Sequence, residues 1–320
     1  MLITLENIGK DYVVHRKLPG HVLKRERTLV RALGEVSFSI DRGEIVGYIG
    51  PNGAGKSTTI KIMSGILTPD RGLCRVDGRI PHKVRKEHVR HIGVVFGQRS
   101  SLWWDVPVID SFNLLRDIYA VDKERYGRTL RRLSEMLDLG PLLRTPARQL
   151  SLGQRMRCEV AAALLHEPDI LFLDEPTIGL DAVSKLAVRD FILEINRERG
   201  VTVLLTTHDM HDIEALAKRV MLLGKGALLY DGSLEAIRER YAGEKQLSLR
   251  YARGRLPDRL EGAQIVQADI GHATLRFDPS KTSAQRLFAQ LSQLVELRDV
   301  SIQEAPLETV MATLYKEMGL

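Results

Sequence analysis

The first nine residues, MLITLENIG, alternate apolar and polar side chains with the two-residue period of a strand buried on one face. VSFSI at 36–40 repeats the pattern, and the stretch between, with Pro19 and Gly20, reads as a loop or hairpin excursion. EIVGYIG at 44–50 predicts a third, apolar strand entering a glycine-rich turn, after which TTIKIMSGI has helical spacing. From about 110 to 165 the period lengthens: SFNLLRDIYAV, TLRRLSEMLDL and GQRMRCEVAAALLH place apolar residues every three or four positions. DILFLDE at 169–175 and VTVLLTTH at 201–208 are unbroken apolar runs, as in strands covered on both sheet faces. Strand and helix alternating around a helical block predict an α/β domain with a mostly parallel sheet, an antiparallel β subdomain and an inserted helical subdomain at about 100–165. Past residue 240 the texture changes to QLSLRY, AQIVQAD, HATLRF, SAQRLFAQLSQL and ELRDVSI, which reads strand, strand, strand, helix, strand. Two domains are therefore expected, 1–240 and a small α+β appendage at 241–320.

Composition narrows the class. The 320 residues are 44% hydrophobic and 28% charged, as in a folded globular chain rather than a disordered or collagen-like one. No run approaches the roughly 18 apolar residues of a membrane-spanning helix, and the start, MLITLENIGKDY, lacks the basic flank and apolar core of a secretory signal. Cys74 and Cys158 are too few for a disulfide scaffold and read as packing residues in a reducing compartment. The net charge of +6 admits a nucleic acid, an anionic membrane surface or a polyphosphate as partner. Residues 15–31 carry Arg16, Lys17, Lys24, Arg25, Arg27 and Arg31 against Glu26 alone, either a solvated face or a patch for a membrane or partner.

The chemistry is concentrated in three places. Gly50, Pro51, Asn52, Gly53, Ala54, Gly55, Lys56, Ser57 and Thr58 satisfy the phosphate-loop pattern G-x-x-x-x-G-K-[ST], with a strand before and a helix after. In that context backbone N–H groups and the helix N-terminus converge on phosphate oxygens, Lys56 supplies a point charge, and the Ser57 hydroxyl is a ligand for Mg²⁺. ILFLDEP ends an apolar strand in Asp174 and Glu175. At the C-terminal edge of a parallel sheet the first acid can hold Mg²⁺ through water and the second can take a proton from an attacking water; solvated acids at an ordinary strand end are the alternative on this motif alone. Ser151, Gly153 and Gln154, within LSLGQ, open a helix and offer a second anion-binding end.

The ordered set of phosphate loop, Gln98, LSLGQ, LFLDEP, GLD and His208 resembles the ATPase subunits of ATP-binding-cassette (ABC) transporters over roughly residues 1–235. The fold implied is a P-loop NTPase core. The resemblance implies that Tyr12 stacks on adenine, although a surface tyrosine at a strand end is the plain alternative. It implies that Gln98 reaches the magnesium and the attacking water, that Asp181 links two sites across a dimer, and that His208 contacts the γ-phosphate. The expected catalytic set is Glu175, His208 and Gln98, and the expected metal set is Ser57, Gln98 and Asp174. Leu152 departs from the family's commoner LSGGQ, which touches how closely this helix approaches nucleotide.

The stretch around Gln98 with Trp103 and Trp104, and the tail APLETVMATLY, resemble the ATPases of ABC-2-type exporters. One tryptophan facing a partner groove and both packing in the core are the two readings of that pair. The implied function is an ATP-hydrolysing subunit that dimerises around two Mg-ATP, with an identical chain as the expected second cassette, and drives export through separate permease subunits from the cytoplasmic face of the membrane. Import is the alternative within the class. A soluble nucleotide-gated protein acting on nucleic acid or ribosomes is the alternative outside it; tandem cassettes or a long coiled-coil insertion would mark one, this sequence has neither, and no nucleic-acid partner is expected.

Overall fold

The computed structural model describes residues 1–17, 25–97, 99–241, 243–257, 260–279, 281–303 and 306–320, with backbone only at 15–17, 25 and 26. The chain divides into two units, Met1–Gly232 and Ser233–Leu320.

The first unit begins with β1 (Ile3–Lys17) and β2 (Arg25–Ile40), followed by β3 (Ile45–Ile49), α1 (Lys56–Met63), β4 (Arg71–Val76), α2 (Arg85–His88) and β5 (Ile92–Phe96). The helical block is α3 (Val108–Tyr119), α4 (Lys123–Met136) and α5 (Leu152–Leu164). The chain then alternates again through β6 (Ile170–Asp174), α6 (Ala182–Arg199), β7 (Thr202–Thr206), α7 (Met210–Leu216), β8 (Arg219–Gly224) and β9 (Ala227–Ser233). Six strands form one sheet in the order β5-β6-β7-β3-β8-β9. The pairs β5·β6, β6·β7, β7·β3 and β3·β8 are all parallel. β7 is buried along its whole length and β6 up to Asp174, which is why they read as continuous apolar runs.

A second, antiparallel sheet, β2-β1-β4, covers one side of this layer. Leu5, Ile8, Phe38 and Ile40 from the antiparallel sheet share a core with Tyr48, Phe172 and Met221 from the parallel one. The β1–β2 hairpin is much longer than the alternating segments suggest. Its register runs from Ile3↔Ile40 to Lys17↔Arg25, whereas β4 stops pairing with β1 at Gly9↔Arg71. Beyond Gly9 the hairpin is a two-stranded ribbon with Val13, Val14, Leu29 and Val30 exposed, so no buried face imposes alternation there.

The second unit comprises α8 (Leu234–Tyr241), β10 (Lys245–Gly254), β11 (Gln264–Asp269), β12 (His272–Phe277), α9 (Ala284–Leu294), β13 (Val295–Gln303) and α10 (Leu307–Glu317). Its antiparallel sheet runs β11-β12-β10-β13, and Leu287 and Leu291 of α9 share a core with Leu247, Leu249, Leu275 and Phe277. α8 and α10 pack on each other. Among the described residues no helix is long and apolar enough to cross a membrane.

One buried hydrogen-bond chain ties the core to the turn after β3. Thr59 Oγ1 donates to the Gly55 carbonyl at 3.1 Å, so the Tyr48 hydroxyl, 3.1 Å from Thr59 Oγ1, is the donor of that pair. Both residues are fully buried. Tyr48→Phe removes one donor cleanly and should cost about 1 kcal/mol, while Thr59→Val strands the tyrosine hydroxyl and should cost about 1–3 kcal/mol. Urea unfolding of the two variants checks the order; equal losses would contradict the chain of donors described.

Candidate functional site

Four segments meet at the C-terminal edge of the parallel sheet because β3, β5, β6 and β7 run in the same direction and end in register. Phe96 pairs with Asp174, and Asp174 with Thr206. The phosphate loop leaves β3 and turns into α1. Gly50 has φ +149°, and a side chain there would place Cβ 2.0 Å from the Leu223 carbonyl oxygen, so glycine is required. Gly55, at φ +110°, caps α1 without a side-chain hydrogen bond and with no acidic residue in the first turn. The helix N-terminus therefore presents its amides and positive dipole end to the cavity in front of it.

That cavity has a volume of about 540 Å³ and is lined by the loop residues Asn52 to Thr58, with Lys61, Arg99, Asp174, Glu175 and His208 among the rest. Lys56 is only 7% exposed. Its Nζ donates to the carbonyls of Gly50 at 2.6 Å and Pro51 at 3.2 Å, closing the loop on itself. Burial pulls its pKa below the ordinary lysine value, with the Glu175 and Asp174 carboxylates acting in the opposite direction.

Asp174 Oδ1 accepts from Thr206 Oγ1 at 2.7 Å and from Ser57 Oγ at 3.3 Å. A hydroxyl and a carboxylate oxygen at this separation suit Mg²⁺, a hard cation that takes few protein ligands and fills its remaining positions with phosphate oxygens and water. Among the described residues no group of three or more His, Cys, Asp or Glu is arranged to hold a metal ion.

Glu175 has φ +59°, a left-handed conformation that is unfavourable for a residue with a Cβ. Neighbouring strands hold it there. Its N–H reaches both the Thr206 carbonyl at 3.0 Å and Thr206 Oγ1 at 3.2 Å, and a Cβ on Gly97 would lie 2.3 Å from its carbonyl oxygen. The side chain meets His208 Nε2 at 3.0 Å. Burial raises the Glu175 pKa above the usual carboxylate value; His208 and Lys56 lower it, and Asp174 raises it further.

The structure thus brings together the phosphate loop, Asp174, Glu175 and His208. Tyr12 sits on β1 opposite Val30, two positions from the cavity-lining Ala32, and is not itself among the lining residues. Gln98 lies outside the described residues. Ser151 and Gln154 are elsewhere on the unit, forming a capping box at the start of α5: Ser151 Oγ accepts from the Gln154 amide at 3.2 Å, and Gln154 Oε1 from the Ser151 amide at 2.9 Å. Asp181 caps α6 by accepting from the Ser184 amide at 2.9 Å, with Ser184 Oγ on its other oxygen at 2.8 Å, and these bonds depress its pKa. The two helix starts abut, since a Cβ on Gly153 would fall 2.2 Å from Ser184 Oγ and one on Gly179 2.8 Å from Leu152 Cδ2. Leu152, the departure from LSGGQ, is packed over Gly179. Trp103 and Trp104 are 44% and 51% exposed, so neither is a core residue; the Arg155 guanidinium lies 5.4 Å from the Trp104 ring.

Sequence reasoning missed Thr206, which holds both Asp174 and the backbone of Glu175. The signal was present: Thr206 ends an apolar strand two residues before His208, where parallel register sets it beside Asp174. It also missed Asp212, fully buried on α7, which accepts from Thr177, from Thr207 at 2.9 Å and from Arg189 at 2.6 Å, fixing the segments that follow Glu175 and precede His208.

Comparison with known proteins accords with this geometry. The ABC transporter family model matches residues 33–178. The ABC transporter ATP-binding protein NatA of Bacillus subtilis (strain 168) is 32% identical over 226 residues, covering 71% of this chain and 90% of that protein. The methionine import ATP-binding protein MetN of Latilactobacillus sakei subsp. sakei (strain 23K) is 33% identical over 230 residues, covering 70% of this chain and 66% of MetN. Among solved structures, the dimeric ATP-binding cassette MJ0796 in a post-hydrolysis state with ADP and Pi superposes with a TM-score of 0.62 at 27% identity, over 72% of this chain and 98% of that one. A phosphate loop facing two strand-end carboxylates, in a chain this similar to full-length cassettes, makes the protein a member of the ABC transporter family that carries its ATPase domain.

Proposed function

We propose that the protein hydrolyses ATP between two copies of itself and uses the cycle to drive export through separate, ABC-2-like permease subunits at the cytoplasmic face of a membrane. The observation that carries the ATPase half is the convergence of Lys56, Ser57, Asp174, Glu175 and His208 on one cavity. Lys56 and the amides of the loop would bind the β- and γ-phosphates, Ser57 and Asp174 would hold the metal, and Lys61 and Arg99 add positive charge at the rim. Mg²⁺, when bound, neutralises charge building up on the transferring phosphoryl group. Glu175 takes the proton of the water that attacks the γ-phosphorus as the bond to the β-phosphate oxygen breaks, and His208 Nε2 holds the Glu175 carboxylate in place. Gln98 completes the metal and water contacts, and Tyr12 stacks on the adenine.

Ser151, Gly153 and Gln154 start a helix that lies away from the cavity of their own chain, and Asp181 sits beside them. This supports a site closed by a second copy, in which these residues meet the γ-phosphate bound by the first. The likeness to a dimeric cassette supports the same reading. Export rests on the resemblance of the Gln98–Trp104 neighbourhood and the tail to ABC-2-type ATPases; the similarity to a methionine import protein is the observation that favours import. The second unit serves as an accessory domain. Nucleic acid is not a partner in this reading.

Three expectations follow from the site. Glu175→Gln should retain nucleotide and form long-lived dimers with Mg-ATP while turnover falls by about a hundredfold or more, the size expected for a lost general base; steady-state phosphate release and size-exclusion chromatography measure both, and turnover equal to the parent's would refute the assignment. A carboxyl whose pKa is raised in the folded protein stays protonated to higher pH. The acidic limb of kcat/KM should therefore lie above the usual carboxylate range and rise as Glu175 loses its proton. Because His208 lowers that pKa, His208→Gln should move the limb to higher pH. Finally, affinity purification of the intact membrane complex, followed by mass spectrometry, should recover ABC-2-like permeases; recovery of import permeases, with transport dependent on a solute-binding protein, would reverse the direction.

A further inference from the structure

Beyond Gly9 the β1–β2 ribbon leaves the antiparallel sheet with large apolar side chains in water: Leu29 is 62% exposed and Val13 41%, with Val14 and Val30 about as exposed as Val13. A two-stranded ribbon is marginal on its own, and four such side chains together mark a surface that something covers. The register divides them between two faces, because residues opposite one another share a side and the side alternates along the strand. Val13↔Leu29, His15↔Arg27 and Lys17↔Arg25 fall on one face, and Tyr12↔Val30 and Val14↔Thr28 on the other. Charge changes along the same ribbon. At its base the ions are balanced: Lys10 Nζ lies 2.8 Å from Asp70, and Asp11 meets Arg71 at 3.2 Å and Arg31 at 3.6 Å. From residue 15 to residue 27, by contrast, the sequence holds Arg16, Lys17, Lys24, Arg25 and Arg27 against Glu26 alone, and Arg27 is exposed. One face therefore runs from an apolar pair to register positions occupied by cations. Aliphatic groups beside cations suit the boundary between anionic lipid headgroups and acyl chains. A nucleic acid asks for stacking rings or hydrogen-bonding groups, and these aliphatic side chains offer neither.

We propose that the exposed ribbon of β1 and β2 docks on an anionic lipid surface, with Val13 and Leu29 entering the headgroup region and the neighbouring cations meeting lipid phosphate. The proposal rests on the membrane-side reading above and gives the chain its own contact with lipid beside the one through permeases. Neither Val13, Leu29 nor Arg27 lines the nucleotide cavity, so the contact requires no nucleotide.

The test sediments the full chain, without nucleotide, with vesicles of mixed phosphatidylglycerol and phosphatidylcholine and with vesicles of phosphatidylcholine alone. Only the anionic vesicles should retain it, and retention should weaken between about 50 and 200 mM salt. Arg27→Gln should lower the partition coefficient about fivefold, the effect of one cation near such a surface. Val13→Thr combined with Leu29→Thr should lower it about tenfold through lost apolar contact, while threonine keeps the strand preference. Lys83→Gln combined with Lys86→Gln removes two exposed cations at and just before α2, outside the ribbon, and should change the partition by less than about twofold. ATP turnover without lipid should match the parent's in every variant, which shows that each is folded; should the double threonine variant lose turnover, Arg27→Gln decides alone. Equal retention on neutral and anionic vesicles would overturn the proposal, as would ribbon variants that bind like the parent, or a loss at Lys83 and Lys86 as large as that in the ribbon. So would a parent that ignores vesicles but is captured by polyglutamate or polyuridylate, which would assign the ribbon to an acidic protein or to RNA. A parent that binds anionic vesicles through the ribbon yet releases no phosphate from ATP would refute the ATPase reading and leave this contact standing.

Discussion

An ammonium group almost excluded from water, set beside two carboxylates, is the constraint on which the rest of this molecule depends. Lys56 is acceptable there because the Gly50 and Pro51 carbonyls accept hydrogen bonds from its Nζ and Asp174 and Glu175 lie close enough to favour its charge. Each of the four offsets part of the cost of burying that charge. The loop must therefore curl tightly enough to bring its own carbonyls onto Nζ, which demands the glycine conformations at 50 and 55. The carboxylates must arrive from another strand at the same sheet edge. A parallel sheet does this without further devices, because all of its strands end on one side.

What the sequence disclosed follows from the same physics. The phosphate loop, Asp174, Glu175 and His208 were legible because each closes a short, fully apolar strand, and burial on both faces leaves a mark that survives without alignment. β4, β5 and β9 carry mixed or brief apolar patterns that do not separate from their loops, whereas β8 has an apolar run as long as that of β6 but no motif after it to mark it. The ribbon formed by residues 10–17 and 25–33 reads in the sequence as a loop or a hairpin without a choice between them, because a two-stranded element with both faces exposed has no hydrophobic period to display. Glu159 looked like one polar position in a helix; its partners, Ser100 and Ser101, lie 59 and 58 residues earlier in the chain, and no local pattern reports a pairing over that distance.

Leu152 illustrates how a departure from a motif can be absorbed by its neighbour. The leucine rests on Gly179, whose φ of +70° and lack of a side chain provide the room. The side chain thus turns toward the start of α6 and leaves Ser151 exposed, while Gly153 is buried against Ser184. The substitution adds apolar contact between the two helix starts and leaves the Ser151 hydroxyl uncovered.

The two halves of the proposed reaction are held by different kinds of bond. Glu175 sits in an unfavourable backbone conformation that persists because β5, β6 and β7 constrain it together, through Gly97, its own strand and Thr206. Strain maintained by three packed strands fixes the proton acceptor against the phosphate loop with little freedom to drift. The α5 start has no such strand beside it. Its helix packs on β5 further along, at Gly93 and Ala163, and holds Ser100 and Ser101 through Glu159, whereas the start itself is fixed only by its own capping box and by the start of α6. The proton-accepting geometry therefore stays fixed by strands while the surface proposed to meet a second copy is held by caps and side-chain contacts, which is the arrangement an ATPase needs if binding is to precede chemistry.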